Sequence, residues 1–68
     1  MTIFDALNLT VEHCKNQYAV AYARKALELE LRGEALRHQV LYVLTNISHW
    51  RGPAAQGVRT TLKHFVAQ

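Results

Sequence analysis

A single cysteine, Cys14, leaves this 68-residue sequence no internal disulfide. That excludes the stapled scaffolds of small secreted proteins. Long apolar runs are also missing. Runs such as Val40–Leu44 reach no more than six residues, against the roughly 20 residues that a membrane-spanning helix requires, so no membrane partner is expected. The first residues place Asp5 where a secretory signal carries basic residues, and the expectation is a cytoplasmic protein without a leader. Charged residues make up only 19% of the chain while half is hydrophobic, the reverse of the balance that keeps a chain disordered.

Catalytic residue types are equally scarce. Ser48 is the only serine and Asp5 the only aspartate. His49 adjoins Ser48, but neighbours on a helix point about 100° apart, so the pair cannot act as nucleophile and base. The carboxylates fall at no spacing that would confine two of them to one dry site. No two of His13, His38, His49 and His64 stand three or four residues apart, and His13 and Cys14 diverge on a helix, so four convergent ligands are not expected. The sequence therefore predicts no enzyme, no metal and no cofactor.

Breaks are few. Gly33 and the Gly52–Pro53 pair are the strong ones, and they divide the chain into three helical patterns. In the first, Thr2 with Asp5 three residues later approximates a capping box. Phe4, Leu7, Val11, Cys14, Tyr18 and Ala21 then recur at spacings of three and four, one stripe of an amphipathic helix. Helix is expected to continue to Arg32, with Gly33 as its left-handed stop and a break near Asn16 as the way to shorten it. The second pattern carries Leu36, Val40, Val43, Ile47 and Trp50. The third opens with Pro53 at a position that needs no backbone N–H and carries Ala54, Val58, Leu62 and Phe65, with Gly57 read as a close-packing point. The expected architecture is all-α. It is one helical domain over 1–68, a small three-helix bundle with a long N-terminal helix followed by a helical hairpin, the helices spanning about 3–32, 34–51 and 53–66.

With no catalytic set, the informative residues are those that could touch a partner. Tyr18 and Tyr22 lie one turn apart with Lys15 and Lys25 on either side, and Trp50 is followed by Arg51. Aromatic residues and arginine are the side chains enriched at protein interfaces, so these four are candidate contacts to a protein partner. Leu29, Leu31, Leu41 and Tyr42 have no evident inward role in a three-helix monomer. They are candidate contacts of a homodimer, because a core this small gains most from a partner.

Charge is uneven along the chain. Residues 1–32 carry as many acids as cations, whereas Arg37, Arg51, Arg59 and Lys63 face only Glu34 in residues 33–68, which holds the whole net charge of +3. On the third helix Gln56, Arg59, Thr60 and Lys63 share one face, side chains suited to phosphates and base edges. The run Val58-Arg-Thr-Thr-Leu-Lys63 resembles the recognition helix of winged-helix and helix-turn-helix repressors. That resemblance covers residues 56–66 and implies a nucleic-acid partner read by those four side chains. The chain departs from that family in having no short scaffold helix between the second and third patterns and no wing before Gln68. Size, helicity and basic balance also resemble the small accessory proteins of phages and mobile elements, which implies a protein partner.

The leading expectation is thus a small protein-interaction module that modulates a larger partner by occupying its surface, and that forms a homo-oligomer. A small DNA-binding regulator is the alternative, and a self-assembling structural component the second alternative.

Overall fold

In a computed structural model describing all residues, Met1–Gln68, the chain forms four helices and no strand: α1 (Ile3–His13), α2 (Gln17–Glu28), α3 (Gly33–Thr45) and α4 (Pro53–Ala67). The all-α reading holds. The long first helix is two, broken at residues 14–16 near Asn16 as the sequence allowed, and the three-helix bundle is corrected to four.

The physical reason lies in residues 14–16. Cys14 takes extended backbone angles while its N–H still donates to the Thr10 carbonyl, closing α1. Asn16 is extended as well, and its Oδ1 accepts hydrogen bonds from the N–H groups of Tyr18 (2.9 Å) and Ala19 (3.1 Å). A side chain that satisfies two otherwise unpaired donors starts a new helix there. At the other end of α1, the capping box is formed. The Asp5 N–H donates to Thr2 Oγ1 at 3.1 Å and the Thr2 N–H donates to Asp5 Oδ2 at 3.0 Å. The Thr2 backbone N–H, with its hydroxyl second, holds the Asp5 carboxyl below its ordinary pKa.

The stop at Gly33 is also corrected. Helix α2 ends in a Schellman motif four residues earlier: Leu31 N–H donates to the Ala26 carbonyl (3.1 Å) and Glu30 N–H to the Leu27 carbonyl (3.2 Å). The left-handed residue this motif needs is Glu30, at φ 49°. Gly33 is left-handed too, at φ 59°, but it is the first residue of α3. The second pattern ends at Thr45, short of the expected residue 51, because Asn46 and Ile47 turn back on the helix through hydrogen bonds to the Val43 and Leu44 carbonyls. A loop of residues 46–52 follows.

Each helix packs on two others. Contacts run α1 to α2, α2 to α3, α3 to α4 and α4 back to α1, closing a ring. Helices α3 and α4 are antiparallel, since Arg37 near the start of α3 donates from Nε to the Val66 carbonyl near the end of α4 (3.2 Å). The Cα radius of gyration is 10.3 Å, close to the roughly 11 Å expected for a compact domain of this length. The core is built from Leu7 of α1, Leu36, Val40 and Val43 of α3, Ile47 of the loop, and Val58 and Leu62 of α4. The fully buried residues of helix α2 are all alanines, Ala19, Ala23 and Ala26, whose small side chains let its backbone approach its neighbours, while Val20, Tyr22 and Leu27 pack partly buried against the core. The expected inward stripe continuing to Tyr18 and Ala21 is therefore corrected: both are exposed. Gly57 is no close-packing point between helices, since a Cβ there would meet only the tip of the exposed Met1 side chain, at 3.3 Å. The two buried polar side chains are satisfied, Thr10 by the Ala6 carbonyl and Gln39 by the Tyr22 carbonyl. No helix is long and apolar enough to cross a membrane.

Candidate functional site

The alanine face of α2 determines what its flanks present. With Ala19, Ala23 and Ala26 turned inward, Tyr18, Tyr22, Lys25 and Leu29 form the adjoining stripe at spacings of four, three and four. Tyr18 is 59% exposed and Leu29 58%, whereas Tyr22 is half-buried. Across the α2–α3 seam, Gln39 Nε2 donates to the Tyr22 carbonyl at 3.2 Å. One turn further along α3, the Tyr42 ring lies against the Tyr22 ring, centroids 5.4 Å apart and planes tilted by 44°. Such tilted aromatic pairs are favourable beyond the area they bury. Tyr42 nevertheless remains 51% exposed. All three tyrosines of the chain thus lie on the α2–α3 side of the ring.

This arrangement regroups the sequence candidates. Tyr42, expected among the dimer contacts, joins Tyr18 and Tyr22 of the protein-contact set, and Leu29 extends their stripe. Leu31 has an inward role after all, half-buried against the core, and Leu41 is half-buried on α3.

Trp50 and Arg51 lie elsewhere, in the loop rather than at a helix end. Trp50 is half-buried against the core, and Arg51 Nη1 donates to the Ser48 carbonyl at 3.1 Å. They face the α1–α2 turn across a groove of about 430 Å³, with His13, Cys14, Lys15, Asn16, Asn46 and His49 completing its walls. Nothing in the sequence pattern pointed to Lys15, Asn16 or Asn46 as groove residues. The only available signal was the capping preference of Asn16, which makes the turn that opens the groove. Cys14 in its wall is buried, and no group of three or more His, Cys, Asp or Glu side chains converges on a metal site.

A second groove, shallow and about 640 Å³, runs along α4. It is lined by Arg51, Gly52, Pro53, Gln56, Arg59, Thr60 and Lys63, with no hydrophobic side chain. All four side chains singled out for nucleic acid line it. Their roles differ, however. Arg59 is half-buried, and its Nη1 donates both to the Ile47 carbonyl (3.0 Å) and to the Trp50 carbonyl (2.7 Å), tying the loop to α4. Gln56, Thr60 and Lys63 are exposed. Of the four cations in residues 33–68, three meet at this groove, while Arg37 is engaged at the far end of α4.

Comparison with protein-family models, curated proteins and solved structures finds no match to this chain.

Proposed function

We propose that the protein is a small protein-interaction module whose contact surface is the α2–α3 face, and that it acts by occupying the surface of a larger partner rather than by catalysis. The observation that carries this reading is the gathering of Tyr18, Tyr22 and Tyr42 on one side of the ring, with two of the three rings half or more exposed. Tyr22 is partly buried against the core, so Tyr18 and Tyr42 supply the free contact area. Tyrosine supplies large, rigid contact area with a hydroxyl to fix orientation, the property that enriches it at interfaces. Leu29 extends the apolar stripe along α2, and Lys25 between them adds a charge at the rim. Trp50, half-buried against the core, supports its own loop more than it offers contact area.

The test is photo-crosslinking in a cell lysate with a photo-reactive phenylalanine in place of Tyr42, and with the same residue in place of exposed Glu12 on α1 as control. The expected result is a discrete protein adduct from position 42 alone. Excess unlabelled protein should suppress it, and excess Tyr18→Ala protein should suppress it at least about tenfold less well, the loss expected when an interface hot spot is truncated. An adduct of equal yield from position 12, or equal competition by the Tyr18→Ala protein, would refute the reading. An adduct of twice the chain's own mass would identify the partner as a second copy, the homodimer form of the proposal.

A further inference from the structure

The geometry points to a second binding site: the α4 groove takes the phosphodiester backbone of a nucleic acid, held by Arg51 and Lys63 with Gln56 and Thr60 as hydrogen-bond donors between them, independent of base sequence. Four observations lead there. The groove gathers three of the chain's eight Lys and Arg residues, and none of its five Asp and Glu residues lines it. The only contact of ion-pair length in the molecule, Glu34 with His38 on α3, lies elsewhere, so these cations carry no internal counter-charge. The Lys63 ammonium has no hydrogen-bond or ion-pair partner within the chain, and Arg51 engages one nitrogen with one carbonyl, so both heads are available to an anion. Finally, the net charge of +3 resides entirely in the half of the chain that builds this groove.

The form of the groove selects among polyanions. Gln56, Thr60 and Lys63 stand at intervals of four and three along α4, a line of about 10 Å at 1.5 Å per residue. Phosphates of one duplex strand advance about 3.4 Å each along the axis and stand about twice as far apart along the winding strand, so such a line reaches about two of them. A lipid surface calls for apolar side chains to enter it, and a protein partner for an apolar centre to the interface. This groove has neither.

Arg59 sets how the site reads its ligand. Because its Nη1 is committed to two loop carbonyls, it adds charge to the groove floor but is not free to extend a fork to a base edge. Backbone contacts position without conveying sequence, and the site as built offers backbone contacts. The expectation is binding that depends on salt and hardly on sequence.

The experiment is fluorescence anisotropy of labelled duplexes of two unrelated sequences titrated with the protein at about 50 and 200 mM salt. With two free cations in the groove, Arg51 and Lys63, the slope of log K against log salt is expected near −1.8, a loss of about twelve-fold between the two concentrations, and alike for both sequences. Lys63→Ala and Arg51→Ala should each reduce the slope by about 0.9. Thr60→Glu, which puts a carboxylate into the groove, should remove binding at 200 mM. All three positions are exposed, and an unchanged far-UV circular dichroism spectrum verifies that the variants are folded. Absence of binding at the lower salt overturns the proposal. So does binding whose slope none of the variants alters, which would put the anion on other cations. Tighter association with phosphatidylserine vesicles or with polyglutamate than with DNA, at equal anion concentration, overturns it in favour of a lipid surface or an acidic polypeptide. Because the tyrosine face lies on α2 and α3, Tyr42→Ala should leave the DNA affinity unchanged, which separates this test from that of the protein-contact surface.

Discussion

Glu30 is the one residue other than glycine with a positive φ, 49°. The left-handed region costs an L side chain about 1–2 kcal/mol through the clash of its Cβ with the carbonyl that follows. The chain accepts that strain because the Schellman motif it completes satisfies two carbonyls at the end of α2 and turns Leu31 onto the core. Glu30→Gly removes the clash and keeps the motif, at the expense of some added freedom in the unfolded chain. The expected net gain is about 0.5–1 kcal/mol, read as a higher urea midpoint at unchanged slope; an unchanged or lower midpoint would show that the backbone there is not strained. Gly33, three residues on, is the residue that a sequence reading chooses for this turn, since glycine is the usual left-handed stop. The choice fails because the chain has two left-handed positions in this connection, and the first is occupied by a residue type that carries no signal for it. Asn16 is the opposite case. The sequence reading allows a break there, and the structure makes it, with Asn16 capping the start of α2.

At the scale of elements, the loop over residues 46–52 shows why a contact inventory can be right in its members and incomplete in their roles. Gln56, Arg59, Thr60 and Lys63 were expected to share one helix face, and they line one groove. That much follows from helical periodicity. What periodicity cannot show is that Arg59 turns to the carbonyls of Ile47 and Trp50, because those acceptors are backbone atoms brought near α4 only when the loop folds back over buried Ile47. Between the turn at Asn46 and Ile47 and the start of α4, the loop's other hydrogen bonds are those of the Trp50 N–H to the Ile47 carbonyl at 3.1 Å and of Arg51 to the Ser48 carbonyl. Arg59→Lys tests the clamp. Lysine keeps the charge, but its shorter, singly tipped side chain cannot reproduce two guanidinium bonds to carbonyls on either side of a turn. The variant should lose about 1.5–3 kcal/mol, the usual worth of hydrogen bonds from a charged donor. Amide hydrogen exchange at Trp50 should quicken while exchange within α2 follows only the global loss. If exchange in the loop is no faster than in the wild-type protein, Arg59 is not what holds it.

For the whole molecule, composition and periodicity made the class legible and left the helix count hidden. The hydrophobic spacing of three and four runs in phase from Phe4 through Cys14 to Tyr18 and Ala21, so it continues across the very residues where the chain turns. A pattern that does not lose phase cannot report a break, and the break converts an expected long helix into two sides of a ring. That ring has a consequence for stability. Each helix leans on two others, and α2 brings only alanine side chains to the buried centre, so the large side chains of α1, α3 and α4 supply most of the apolar contact. Leu62 of α4 is fully buried, on a helix packed against both α1 and α3. Truncating a fully buried leucine costs about 2–5 kcal/mol. A domain of this length has only about 3–10 kcal/mol to lose, at the usual stability per residue. Leu62→Ala should therefore remove a large fraction of the stability, read as a lowered urea midpoint, and far-UV circular dichroism should lose helix from all four elements in one transition, because removing α4 leaves α1 and α3 each with a single neighbour. A variant that kept its full helical signal and lost less than about 1 kcal/mol by urea titration would mean that the ring closes around Leu62 without depending on it.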